Sequence, residues 1–380
     1  MKQLLKRLRH RIKALKPASE PLITITVSKG ALLNNLAYFA AKTPHGTIAP
    51  VLKSNAYGHG LTLIAKMLEK SSVSIPFFVI DSYFEAAALR SDGIKKPLLI
   101  IAYTTAKTIA QNNLSGVTYT VTSMDTLEKL SLQKLHKTKI NLKIDTAMNR
   151  QGISVHEIDT AIAYIKKMRG ILLEGICSHF SESDITNSPV TAEQIKQWNI
   201  IVQKFRTEFP TLTYWHLSNT DGHLLEKKIT SNVSRLGLGL YTQPSPVLQM
   251  ETIITGIRKI RVGEKVGYNG TFVAQKDMTI AIIPVGYFEG IDRRLSGKGT
   301  VMVMTDSELH QAPMIGRVSM NITTIDISHI PNVSIGSRVV VYGRNTHEIN
   351  TLEKSAEICG TISRELMVHI PAHLKRIQIS

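Results

Sequence analysis

From Thr47 to Tyr241 the chain alternates short apolar, β-branched runs with amphipathic helical stretches, and few folds accept that rhythm. The strand-like runs are 47–53, 76–80, 97–102, 117–121, 140–145, 173–180, 214–219 and 233–240. Helical patterns lie between most of them, among them 61–70, 123–136, 155–168 and 191–209. Short continuous apolar runs suit strands buried on both faces, and parallel strands need helices as crossovers. Eight strands separated by helices predict an α/β fold, a (β/α)8 TIM-type barrel.

After Met250 the pattern changes. Residues 278–285, 299–305, 314–327 and 337–342 are strand-like, with Gly and Pro turns and little helix before Leu352. This predicts a C-terminal mainly-β domain after the barrel. The expected division is a basic extension at 1–20, the barrel at 21–250 and the β domain at 251–380. A stray strand at 22–27 is expected to pair with the β domain, and 29–42 to form a helix leading into the barrel. A chain of 380 residues suits two domains, and 43% hydrophobic content supports a sizeable core.

Composition narrows the function classes. No apolar run reaches 18 residues, so no membrane span is expected. Cys177 and Cys359 are the only cysteines, which excludes a disulfide framework and points to a reducing, cytoplasmic setting. There is no CxxC or HExxH spacing, and no metal site is expected. The net charge is +17, and residues 1–16 carry seven lysines and arginines with no acid. Leu4, Leu8, Ile12 and Leu15 share one helical face there. That stretch reads either as a basic amphipathic helix for an anionic membrane surface or as a solvated leader. Its charges run throughout, so it is not a secretory signal. The basic excess has no nucleic-acid-binding signature behind it, and no nucleic-acid partner is expected.

In a barrel of this type the active site lies at the C-terminal ends of the strands. Lys53 closes the first run, in Ala49-Pro-Val-Leu-Lys-Ser-Asn-Ala-Tyr-Gly-His-Gly60. An amine at the edge of apolar surface can serve as a nucleophile toward an aldehyde or as a proton carrier. His179 ends the sixth run, and Asn219 and Thr220 end the seventh. Arg235 opens the eighth, in Ser-Arg-Leu-Gly-Leu-Gly-Leu-Tyr.

These segments, with 24–36, 143–152, 263–272, 284–294 and 316–321, resemble those of the alanine racemase family, in the family's order. The resemblance covers nearly the whole chain from Leu22 onward. It implies a fold-type III pyridoxal 5'-phosphate enzyme with a barrel and a β domain. It further implies interconversion of L- and D-alanine by two bases, supplying D-alanine for peptidoglycan. Lys53 then resembles the lysine that holds the cofactor covalently and shuttles a proton. Tyr57, Thr220 and the backbone N–H groups of Gly237 and Leu238 would take the phosphate. Asn219 would position cofactor groups, His179 would lie against the pyridine ring, and His216 would hold Arg235.

Arg235 matches the arginine facing the pyridine nitrogen. A guanidinium only donates, so it leaves that nitrogen unprotonated, weakens the electron sink and favours clean proton return. Tyr268 resembles the second base, which family members place across a homodimer interface. Arg150 and the backbone N–H of Met320 would orient the amino-acid substrate's carboxylate, and Tyr287 would line the entrance. Lys143 matches a lysine that is often carbamylated and then pairs with that arginine.

Three residues depart from the family pattern. Asn321 and Glu289 each stand where aspartate is usual. Arg364 stands where a tyrosine usually contacts the phosphate and narrows the pocket. Arginine also pairs well with phosphate, so cofactor binding is expected to survive. Alternatives are a racemase of another or several amino acids, serine first, and a non-catalytic pyridoxal-phosphate-binding protein. The β domain with its tyrosine counts against the latter.

Overall fold

A computed structural model describes residues 20–111, 114–185 and 187–380. The basic stretch 1–16 lies outside the described residues. The chain forms two compact units, one of 27–248, 343–372 and 378–380, the other including 249–342 and 373–377.

The barrel of the first unit is built from eight parallel strands: β1 Ile48–Pro50, β2 Phe78–Ile80, β3 Leu98–Ile100, β4 Val117–Val121, β5 Thr138–Asp145, β6 Ile171–Cys177, β7 Tyr214–His216 and β8 Ser234–Leu236, with the two-residue strand Ile153–Ser154 pairing on β5. Strands β2 to β7 pair in sequence order, and β8 pairs with β1. Two backbone bonds bridge the remaining gaps. Leu52 N–H donates to Val79 O at 2.7 Å, and Arg235 N–H donates to Ser218 O at 3.3 Å. Each predicted run overlaps one of these strands, but the run 233–240 is strand only to Leu236 and continues as the helix Leu238–Thr242. Residues of β2, β3 and β4 are buried throughout, as strands covered on both faces must be. Ala49, Val51, Phe77, Val79, Leu99 and Val233 form one core cluster among them.

Helix starts follow the strand ends because a hydroxyl waits there. Ser82, Thr105, Ser123 and Ser188 each accept a backbone N–H from the first turn of the helix that follows. Two of those helices, Tyr83–Ser91 and Ala106–Ala110, are too short or too weakly periodic to stand out in the sequence.

The second unit is built on a nine-stranded sheet. Its order is Gly256–Ile260, Met278–Ile283, Thr323–Asp326, Glu308–Ile315, Thr300–Thr305, Arg338–Tyr342, Leu248–Ile253, Thr24–Ser28 and Lys375–Ile379. The N-terminal strand thus lies between Leu248–Ile253 and the C-terminal strand. The run 314–327, read as one strand, is two. Gly316, at φ +66°, turns the chain out of the sheet, and the loop it opens carries Met320.

Residues 343–372 belong to the barrel unit, not to the sheet. They hold the helices Leu352–Cys359 and Ser363–His369. The second of these helices meets the barrel unit backbone to backbone: a Cβ on Gly58 would lie 2.0 Å from the carbonyl oxygen of Met367. No helix among the described residues is long and apolar enough to cross a membrane.

Candidate active site

After β1 the chain does not simply leave the sheet. Ser54, Asn55, Ala56 and Tyr57 all have φ between +51° and +56°, a left-handed helical turn of four non-glycine residues. Each such residue costs about 1–2 kcal/mol, so the turn persists only because its surroundings hold it. Ala56 N–H donates to Leu52 O at 2.8 Å, and Asn55 Oδ1 accepts from Leu61 N–H at 2.9 Å. Glu85 accepts from Asn55 N–H and, through its other oxygen, from Asp81 N–H. With a helical period, residues four apart share a face. Lys53 and Tyr57 accordingly line the same cavity, of about 570 Å³.

That cavity brings together Lys53, Tyr57, Lys143, Arg150, His179, Asn219, Thr220, Arg235, Gly237, Leu238 and Arg364. His216 lies behind its wall, fully buried. Arg235, 8% exposed, is fixed by the ends of β6 and β7. Its Nη1 donates to His216 O at 2.9 Å and bonds His216 Nδ1. Its Nη2 donates to Ser178 O at 2.7 Å and Leu217 O at 2.9 Å, and reaches His179 Nδ1 at 3.3 Å. Because His216 Nδ1 accepts, its proton sits on Nε2, which is buried without a partner among the described residues.

Burial and the Arg235 charge hold His216 well below the ordinary imidazole range. Burial, then Arg235, Lys143, Arg150 and Lys53, push His179 down to about 3. Burial raises the Tyr57 hydroxyl to about 12, with Arg364 pulling the other way, so it remains a donor. Lys143 is lowered by burial and by Arg235 and Arg150, against the raising effect of Cys177 and Asp145.

Several contributors were not read from the sequence. Asp145 accepts from the N–H groups of Ala147, Met148 and Asn149 at 2.8–3.1 Å and of Arg150 at 3.0 Å, and so shapes the loop that presents Arg150. Partial burial works against ionisation, but these four bonds leave its carboxyl below the usual range. An aspartate opening an Asn- and Gly-bearing loop was the available signal. Gln194, 1% exposed, accepts from Ser181 N–H and donates to Thr146 Oγ1 and His179 O, tying the ends of β5 and β6. Its only signal was a polar residue on an apolar helix face. Asn219 Oδ1 accepts from Gly222 N–H at 2.8 Å and Ser183 Oγ at 3.0 Å, and Thr220 Oγ1 accepts from Gly239 N–H at 3.2 Å.

The cavity fits pyridoxal phosphate on its own chemistry. A Cβ on Gly237 would lie 2.8 Å from Tyr57 Oη, so glycine keeps a cradle open beside a hydroxyl donor. Five cationic side chains, Lys53, Lys143, Arg150, Arg235 and Arg364, face Asp81, Asp184 and Asp221, which suits a phosphate and a carboxylate. Thr120 Oγ1, buried in the cavity wall, has no hydrogen-bond partner among the described residues.

The other three expected residues belong to the sheet unit. Tyr268 is 67% exposed, in a one-turn helix between two short strands. Tyr287 and Met320 are exposed on adjoining turns. Tyr287 N–H donates to Ser319 O at 3.0 Å, and Phe288 N–H donates to Met320 O at 2.9 Å. A Cβ on Gly267 would lie 3.2 Å from Arg317 N, which puts the Tyr268 turn alongside the Met320 loop.

The fold is thus a parallel barrel that gathers a lysine, a hydroxyl-and-glycine cradle and a buried arginine in one cavity. Residues 27–244 match the alanine racemase N-terminal domain family, and 247–378 the C-terminal domain family. Alanine racemase 1 of Clostridium acetobutylicum is 32% identical over 368 residues, covering 91% of this chain and 94% of its own. Alanine racemase of Syntrophobacter fumaroxidans is 30% identical, with 91% and 94% covered. The crystal structure of alanine racemase from Bacillus anthracis superposes with a TM-score of 0.85 at 25% identity, covering 96% of each chain. This chain belongs to the alanine racemase family, whose members depend on pyridoxal phosphate.

Proposed function

We propose that this protein is a pyridoxal-phosphate-dependent alanine racemase, active as a homodimer in the cytoplasm, that supplies D-alanine for peptidoglycan. The observation that carries the reading is the convergence of Lys53, Tyr57, Arg235 and Gly237 on one cavity. When bound, the cofactor supplies an electron sink that makes the substrate's α-hydrogen removable. Lys53 would be the amine that holds it covalently. Tyr57, Thr220 and the N–H groups of Gly237 and Leu238 would hold its phosphate, with Arg364 as an added cation. Asn219 would position its other polar groups, and His179 would line the ring's side of the cavity. Arg235, held by three carbonyls and by His216, would be the donor fixed for the ring nitrogen.

Arg150, steadied by the Asp145 loop, and the Met320 N–H of a second copy, which also carries Tyr268, would take the substrate carboxylate, while Tyr287 of that copy would line the way in. Lys143, with lowered basicity, is suited to carbamylation, which would turn a cation beside Arg150 into its partner. Lys53 Nζ handles the proton on one face of the α-carbon, and Tyr268 Oη of a second copy handles it on the other. A second reading, racemisation of larger amino acids such as serine, is favoured by Arg364, a flexible cation on the cavity wall.

The test is to incubate the purified holoenzyme with single L-amino acids and read D-enantiomers by chiral chromatography. Alanine is expected to lead, with measurable serine. Borohydride is expected to fix the cofactor on a Lys53 peptide. Label on a different lysine, or no D-alanine, refutes the assignment.

A further inference from the structure

Glu289 is a carboxylate that the mechanism above leaves without a task, yet it is only 7% exposed. It ends the one-turn helix Tyr287–Glu289. Its Oε2 accepts from Gly286 N–H at 2.8 Å, and its Oε1 accepts from Asn321 Nδ2 at 2.6 Å. The two turns it joins also touch backbone to backbone. A Cβ on Gly286 would lie 2.2 Å from Ser319 O and 2.5 Å from Met320 O.

The consequence reaches Met320 through peptide planarity. Ser319 O and Met320 N–H belong to one trans peptide, so they point in opposite directions. Ser319 O is held by Tyr287 N–H, and Met320 O by Phe288 N–H. Both planes flanking Met320 are thereby fixed against the Tyr287 turn, and the direction of Met320 N–H is fixed with them. The carboxylate of Glu289 closes this arrangement from both ends, holding the start of its own turn at Gly286 and the end of the neighbouring loop at Asn321. Glu289 and Asn321 form one contact. An acid here meets an amide donor, where two carboxylates at that separation would repel.

We propose that Glu289, acting through Asn321, is a positioning residue that aims the Met320 N–H at the substrate carboxylate and sets Tyr287 beside it. The aim rests on the reading of Met320 given under the proposed function. The clamp itself rests on the bonds just described.

The test is a swap carried out on the holoenzyme. Asn321→Asp sets a second carboxylate against Glu289. Glu289→Gln with Asn321→Asp restores a donor and an acceptor, because the glutamine still accepts from Gly286 and now donates to residue 321. Two readouts are taken: KM and kcat for L-alanine, and hydrogen–deuterium exchange of residues 284–292 and 316–323. A ground-state carboxylate contact acts on KM more than on kcat. Losing a hydrogen bond to a charged group should raise KM about tenfold in Asn321→Asp, with kcat within about twofold. Exchange in both turns should quicken, and the double variant should return both readouts toward wild type. Unchanged exchange in Asn321→Asp, or no recovery in the double variant, overturns the clamp. Exchange that responds while KM does not overturns the positioning role. If the wild type racemises no amino acid although exchange responds as expected, the reading of Met320 falls instead, and with it the aim assigned here.

Discussion

His179 and His216 sit beside Arg235 and stay neutral for the same reasons, burial and a neighbouring guanidinium. A histidine whose folded pKa lies below its unfolded value contributes stability that is fully present above about 6.5 and lost as pH falls toward the folded value. For His179 that window runs from 6.5 down to about 3. Cofactor-free protein should therefore lose about 2 kcal/mol from this residue between pH 7 and pH 5. Urea unfolding at the two pH values should show a smaller loss in His179→Asn than in the wild type. An equal loss would mean that His179 is not held neutral by the fold. His179, Lys53 and Arg235 were legible in the sequence because each closes or opens an apolar run, and the barrel puts those positions on one rim. Asp145, Glu85 and Gln194 were not, because their partners are loose backbone groups that exist only once the loops have formed.

The left-handed turn Ser54–Tyr57 is the element on which the site depends. The sequence around Asn55-Ala-Tyr-Gly-His-Gly60 announces a turn, but nothing local reveals that four side-chain-bearing residues adopt positive φ. What holds them comes from elsewhere in the chain: Glu85 from the next helix, and the Ser363–His369 helix packed on Gly58. That helix lies in 343–372, which groups with the barrel unit, a pairing across some three hundred residues that local pattern does not report. Gly58→Ala has no room, since its Cβ would meet the Met367 carbonyl, and its φ is +81°. Overpacking and left-handed strain together should cost about 2–4 kcal/mol. The displaced helix carries Arg364, so phosphate affinity should fall as well. Gly46→Ala, at φ +62° with nothing within 4 Å, is the control and should cost only about 1 kcal/mol. Equal losses in the two variants, read by urea unfolding, would show that the Gly58 contact is unimportant.

At the scale of the molecule, the alternation of strands and helices was enough to read eight barrel strands, and the later Gly- and Pro-punctuated runs were enough to read a sheet. The sheet's edge membership was harder, because strands such as Gly256–Ile260 and Lys375–Ile379 are charged and half-exposed and lack an apolar run. The proposed chemistry draws on both units. Lys53 lines the barrel cavity, while Tyr268 is two-thirds exposed on the other unit. If the site is shared, neither base works without its partner subunit. Lys53→Ala and Tyr268→Phe should each be nearly inactive alone, a lost acid–base group costing about 10²–10⁴-fold. In a heterodimer of the two, one site regains both bases and the other lacks both. An equimolar, fully exchanged mixture should therefore recover about a quarter of wild-type activity, half the dimers being mixed and each carrying one intact site. Subunit exchange is verified by differential tagging. A mixture that exchanges yet stays inactive would place both bases in one chain and remove the need for the dimer.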